Sequence, residues 1–186
     1  QTYSAVNNYT EWKGSESESS TTQFYFKKPG SQAFKVLKSS NALATGGMAH
    51  YMGADKIKAK RKILFAMVTL DVGLTDKMFQ SIRGYSMHIG YIPNLFKRMT
   101  ETQFKKERVG KITLDKREAI VVDVWGTGQS FDSKVTKERF AFDAESHALV
   151  LHEMYEGANG DQKVAHSVFT SVQINTPLEG IEALKL

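Results

Sequence analysis

Alternation with a period of two runs through most of this chain, and it restricts the fold more than any other feature. In a half-buried strand successive side chains point to opposite faces, so apolar residues recur at every second position. Residues 163–174 show it best. Val164, His166, Val168, Thr170, Val172 and Ile174 fall on one face, Lys163, Ala165, Ser167, Ser171 and Gln173 on the other, and only Phe169 breaks the order. Ile120, Val122 and Val124 repeat the pattern, as do Phe140 with Phe142, Phe24 with Phe26, and Phe34 with Val36.

Turn residues punctuate these runs at hairpin intervals. Pro29-Gly30 separates 22–28 from 32–38, Gly46-Gly47 precedes 48–52, and Gly53-Ala54-Asp55 leads into 56–61. Asp115-Lys116-Arg117 joins 103–114 to 118–126, residues 143–147 join 135–142 to 149–156, and 157–161 lead into the last long strand. About nine or ten strands in meander order predict one large antiparallel sheet, which must curl or close when it grows so wide. At 186 residues the chain fits one domain, 1–186.

Helix is expected in a central stretch, with the two ends of the chain as further candidates. Thr75-Asp76 caps a short expected helix carrying Met78, Phe79 and Ile82, with Gly84 as its stop. A second runs from 93 to 99, with Pro93 in its first turn and Leu95, Phe96 and Met99 on one side. Each is too short to hold alone, so each must pack on something apolar, and the concave face of the sheet is the surface on offer. The Ser-, Thr- and Glu-rich stretch 14–22 reads as a polar strand and hairpin turn in preference to a linker.

Composition removes several function classes. With no Cys, disulfides, thiolate nucleophiles, thiolate zinc sites and iron–sulfur clusters are all excluded. A net charge of +5 is spread over short segments, whereas nucleic-acid binders gather theirs on one face, so no nucleic-acid partner is expected. The longest apolar run, 63–70, is far shorter than the roughly 20 residues that span a bilayer as a helix. The chain opens at Gln1 without Met, which suggests export with a signal peptide removed.

Catalytic motifs fail one at a time. Gly84-Tyr85-Ser86-Met87-His88 starts like a nucleophile elbow but ends in His instead of Gly. His152-Glu153-Met154-Tyr155-Glu156 lacks the second His of a zincin helix, and Gly126-Thr127-Gly128 meets Phe131 where a dinucleotide loop needs its third Gly. No catalytic residue, metal or cofactor is expected. Two polar features survive. His166 and Thr170 sit on the apolar face of the last strand, where an interior histidine with a hydrogen-bond partner is the plain reading and a cavity-facing group the sharper one. Lys56, Lys58, Lys60 and Lys62 share one strand face; ordinarily such a face solubilises or guards a sheet edge, and its functional reading is docking to an anionic membrane surface or an acidic partner.

Phe26-Lys27-Lys28-Pro29 followed by Phe34, then Gly47-Met48-Ala49-His50-Tyr51 with Ala54-Asp55-Lys56, then Gly160 through Val168-Phe169 to Asn175 and Leu178, together resemble the LolA/LolB-like superfamily of periplasmic lipoprotein carriers and envelope lipoprotein-sorting proteins. The resemblance implies an unclosed antiparallel β-barrel whose helical lid covers an apolar cavity for acyl chains. It also implies a latch: the family's arginine before that proline holds the lid, and Lys28 stands there in this chain, keeping the charge without the planar fork. The family's N-terminal helix shrinks to a tail over residues 1–6.

The function expected is non-enzymatic binding or carriage of a lipid, lipoprotein acyl chain or other long apolar ligand by a monomer in the periplasm or at the outer membrane, anchored through a lipidated Cys upstream if it is a lipoprotein. Phe34, Val36, Ile120, Val122, Val124, Phe140, Phe142, Val164, His166, Val168 and Val172 are the expected ligand-binding wall, and Met78, Phe79, Ile82, Leu95, Phe96 and Met99 the lid. The alternatives are an envelope sensor or protein-interaction module on the same curved sheet and, in third place, an enzyme using His166 with a carboxylate.

Overall fold

The computed structural model describes residues 1–63, 66–179 and 181–186, with the side chains of Lys62, Ile63 and Met78 outside the described set. Among the described residues there are eleven strands: β1 (Thr2–Lys13), β2 (Glu16–Lys27), β3 (Ser31–Ser39), β4 (Met48–Tyr51), β5 (Lys56–Ile63), β6 (Ala66–Gly73), β7 (Lys105–Leu114), β8 (Arg117–Trp125), β9 (Val135–Asp143), β10 (Leu149–Glu156) and β11 (Gln162–Ile174). One helix, α1 (Ile92–Thr100), lies between β6 and β7. The strands form a single antiparallel sheet in the order β6, β5, β4, β3, β2, β1, β11, β10, β9, β8, β7.

That order explains the lid. The two halves of the chain are meanders that meet where β1 pairs with β11, so β6 and β7, neighbours in sequence, form the two outer edges of the sheet. The segment between them, 74–104, has to travel from one edge to the other. It does so over the concave face, carrying α1 with it, and the sheet is an unclosed barrel with a helix in its concavity.

Nine residues are too few for an isolated helix, and α1 is held by what it buries. Ile92 and Leu95 pack with Phe24, Phe26, Tyr51, Phe104, Val124, Phe140 and Phe169 in the largest core cluster, with Met99 at its margin. Pro93 fits the first turn because that position needs no intrahelical N–H. At the far end the Glu101 N–H donates to Lys97 O, and Lys97 and Arg98 place positive charge by the last carbonyls.

Several sequence expectations are revised. Residues 1–6 are not the tail of a helix but the start of β1, which lies in the middle of the sheet. The helix expected after Thr75-Asp76 contracts to a single 3₁₀ turn, Lys77–Phe79, because the chain soon folds back through Gly84 at φ +83°. Of the run 63–70, noted only for its apolarity, residues 66–70 belong to edge strand β6.

The faces of β11 also differ from the simple alternation. Two extra residues bulge out of this strand. Val164 falls between the pairs Met154↔Ala165 and Tyr155↔Lys163, and the register against β1 slips again between Gln173 and Thr170, where Ser171 takes φ +51°. Each bulge inverts which side chains face the core. Val164 therefore points inward, but His166 and Val168 point outward, and Phe169, the residue that broke the pattern, is buried in the concave core. Beyond Ser171 the phase is restored and Val172 packs on that core again.

Candidate functional site

The concave face is built from alternate residues of neighbouring strands. Register places Val122 opposite Phe140, Phe140 opposite His152, His152 opposite Ser167, and Ser167 opposite Tyr9. A continuous band of side chains thus runs across the sheet under α1. Its floor is aromatic: Tyr3, Phe24 and Phe169 meet edge to face with ring centroids 5.6–6.2 Å apart.

Beside the helix the floor is not filled. On one side lies a hollow of about 370 Å³ walled by Phe24, Phe34, Val36, Ile57, Leu95 and Phe169, with Phe79, Met87 and Ile89 of the crossing segment over it and Glu18, Lys60 and Arg61 among the residues around it. On the other side, at the N-terminal half of α1, is a hollow of about 530 Å³ walled by Tyr3, Phe26, Ile92, Phe96, Leu149 and Ile174. Both volumes fall within the roughly 300–1,000 Å³ usual for small-ligand sites.

The expected wall residues divide accordingly. Phe34 and Val36 line the first hollow. Val124 and Phe140 are fully buried and, with Val122, Phe142 and Val172, form the packed floor. Ile120 lies on the same face of β8, half-buried, while Val164 packs with Ile89, Val135 and Met154 under the crossing segment. His166 and Val168 do not belong to the wall. His166 Nδ1 lies 2.7 Å from Glu153 Oε1 on the convex face, where Glu153 also accepts from Lys163 and Tyr155. Burial alone would raise the Glu153 carboxyl, but hydrogen bonds from His166, Lys163 and Tyr155 hold it down at about 2.

Among the expected lid residues, Leu95 and Phe79 border the first hollow, Met99 packs on the core, and Ile82 is half-buried with its carbonyl accepting from Lys13 Nζ at 2.9 Å. Phe96 turns the other way, 40% exposed, toward the second hollow. The Met78 side chain lies outside the described residues. Lys28 is exposed, and α1 is fastened by other groups: Ile92 N–H donates to Gln32 Oε1 at 2.9 Å and Tyr91 Oη to Gly30 O at 2.5 Å. A Cβ on Gly30 would lie 2.2 Å from that hydroxyl, so any side chain there would push Tyr91 off this bond. Along the lysine strand, Lys56 and Lys58 face solvent, Lys60 is paired with Glu182 at 2.7 Å, and the Lys62 side chain lies outside the described residues.

Two polar networks that sequence reasoning missed hold the crossing segment down. Arg98, on the inner face of α1, donates from Nε and Nη2 to both oxygens of Glu138 at 2.8 Å, and His152 Nε2 lies 2.7 Å from Glu138 Oε1. Desolvation of this carboxyl would raise its pKa, yet the hydrogen bonds from Arg98 and His152 and their charges keep it at about 2. The second network centres on Arg83. Its guanidinium donates to Trp12 O, the Tyr85 hydroxyl, Asp132 and Glu156, while its backbone N–H reaches Glu11 Oε2 at 3.1 Å. Burial tends to lower the Arg83 pKa, but the bonds to Tyr85 and Glu156 carry it above its ordinary value. No local pattern marks either network, because Arg98 lies 40 residues from Glu138, and Arg83 lies 49 to 73 residues from Asp132, Trp12, Glu11 and Glu156.

The weighed elbow motif has a definite geometry: Ser86 Oγ lies 2.5 Å from His88 Nδ1. Burial and the nearby Arg98 charge lower the His88 pKa. Both residues sit in a turn closed by Ile89 N–H to Ser86 O, and among the described residues no carboxylate bonds to His88 as the third member of a triad would. Among the described residues no three His, Asp or Glu side chains are grouped to hold a metal ion, and no helix is long and apolar enough to cross a membrane.

No family model matches the chain, and no curated protein matches it. Solved structures do. An uncharacterized conserved protein from Thermus thermophilus superposes with a TM-score of 0.56 at 8% identity, over 96% of this chain and 82% of that one. The lipoprotein LppX of Mycobacterium tuberculosis gives 0.47 at 10% identity, over 96% and 89%. A putative outer membrane lipoprotein-sorting protein domain from Vibrio parahaemolyticus gives 0.42 at 10% identity, over 99% and 89%. At these identities the likeness is one of fold, and the fold shared with the Thermus protein is the unclosed antiparallel barrel that the LolA/LolB-like resemblance implied.

Proposed function

We propose that this chain binds or carries a lipid, a lipoprotein acyl chain or another long apolar ligand in the bacterial cell envelope, without chemistry of its own. The observation that carries this reading is the hollow of about 370 Å³ between the concave face and the crossing segment, walled by Phe24, Phe34, Val36, Ile57, Leu95 and Phe169. An acyl chain entering it leaves water for an apolar wall, worth about 0.8 kcal/mol per buried methylene. Met87 and Met154 in the same wall are unbranched and adapt to chains of different length. The sequence resemblance to envelope lipoprotein carriers supports the compartment and the cargo class.

The test is titration with a fluorescent fatty acid. The wild-type chain is expected to bind it, and Val36→Trp, which fills the hollow from a half-buried position, should weaken binding by about tenfold or more, the equivalent of about 1.4 kcal/mol. A wild-type protein that leaves the probe free in solution would reject the reading.

A further inference from the structure

The second hollow differs in charge from the first. It lies beneath the N-terminal half of α1, between the turn that joins β2 to β3, the turn that joins β9 to β10, and the inner ends of β1 and β11. None of the described residues that line it is Asp or Glu, in a chain that has 20 of them. Two lining residues are basic, Lys28 from one turn and His147 from the other. Lys28 is exposed and makes no side-chain hydrogen bond or ion pair among the described residues. His147 is fixed at φ +58° by its N–H to Asp143 O at 2.9 Å, and Thr2 and Ser146 add hydroxyls to the lining. Phe96, large, apolar and 40% exposed, forms part of the wall and leans on Phe142 with ring centroids 6.0 Å apart.

An apolar hollow with an unpaired cation beside it matches one ligand chemistry. We propose that this hollow is a second, charge-selective site that takes a single acyl chain bearing an anionic head, the chain against Tyr3, Phe26, Leu149 and Ile174 and the head on Lys28. The inference rests on the reading that the protein takes acyl ligands and adds a site that distinguishes them by head charge. The free lysine gains a partner, the anion gains a charge-assisted hydrogen bond, and the chain is desolvated, whereas a neutral head gains only the last of these. Carboxylate and phosphate heads share this chemistry, since lysine acts on both as a point charge.

Calorimetric titration of the full chain with oleate, lysophosphatidylglycerol and the uncharged monoolein tests the site. The wild type should bind both anionic ligands more tightly than monoolein at low salt, and the difference should shrink at 1 M salt, where the Debye length is about 3 Å. Lys28→Glu should weaken the anionic ligands by about tenfold and leave monoolein unchanged. A loss confined to oleate would assign the site to carboxylate heads, and one confined to the lysophospholipid to phosphate heads. Ile174→Trp, which fills the hollow, should weaken the anionic ligands as well. If it does not fold, the exposed Lys28 substitution still decides the matter. Unchanged oleate and lysophosphatidylglycerol binding in Lys28→Glu, with binding lost in Val36→Trp, would overturn the second site and leave the proposed function standing. Failure of all three ligands to bind the wild type would overturn both.

Discussion

Arg98 and Glu138 meet where water does not reach, the carboxylate with 0% and the guanidinium with 7% of its side chain exposed. Taking both charges out of water costs several kcal/mol, and a well-packed apolar pair of the same volume often serves stability as well or better. What the pair supplies is position. A planar fork bonded to both oxygens of one carboxylate admits one rotation and one height of α1 over β9, and the bond from Arg98 Nη2 to Ile89 O ties the preceding loop to the same point. Arg98→Met should therefore destabilise the fold by about 3–5 kcal/mol, measured by urea unfolding, because Glu138 would be left charged and buried without its main partner. The pH dependence has a definite sign. The folded Glu138 pKa, about 2, lies below the unsupported value of 4.5, so its contribution is complete above about pH 4.5 and is lost as pH falls toward 2. In Arg98→Met that acid-limb slope should become shallower. Neither residue could be singled out from sequence, since an arginine on a nine-residue amphipathic segment looks like any solvated charge until its partner, 40 residues away, is known.

At the scale of the element, β11 shows how a strand can be legible in sequence while its faces are not. Alternation located it, and the strand is present, but a period of two assumes no bulges. With Val164 and Ser171 each inserted against a partner, the inward set becomes Val164, Ala165, Ser167, Phe169, Val172 and Ile174, which no fixed phase generates. The clue in the sequence was Phe169, a large aromatic in a position the pattern assigned to Ser and Gln. β1 was lost for another reason. Its inward residues, Tyr3, Ala5, Asn7, Tyr9 and Glu11, include an amide and a carboxylate, so the hydrophobic signal of a central strand is masked by the groups that bind Arg83 and face the hollow. The turns were easier, because their chemistry is local: Asp115 and Lys116 both take positive φ, as a two-residue hairpin requires. Ser171 provides a test of the bulge. A non-glycine residue at φ +51° costs about 1 kcal/mol, so Ser171→Gly should raise the unfolding midpoint, whereas Ser171→Val should lower it, as followed by thermal denaturation. Equal midpoints for the three proteins would mean that the bulge is not where the register places it.

For the whole molecule, the meander was readable and the closure was not. Hairpin spacing predicts which strands are neighbours within each half, but it does not reveal that β1 joins β11, and that single pairing decides everything about the site. It sends β6 and β7 to opposite edges, obliges residues 74–104 to cross the concave face, and so creates a lid over an apolar interior from a connection with only one helix. The apolar wall was partly legible for the same reason: Phe34, Val36, Val122, Val124, Phe140 and Phe142 lie on stretches of β3, β8 and β9 without a bulge between them, while the polar groups that pin the lid come from long-range partners. The central claim is that the hollow between the sheet and the crossing segment holds an acyl chain. Native mass spectrometry of the protein recovered from envelope membranes tests that claim most directly. The account predicts a bound species of lipid mass that is displaced by added oleate and is carried at lower occupancy by Val36→Trp, whose second hollow is unaltered; wild-type protein that emerges at its bare polypeptide mass and takes up no oleate would contradict it.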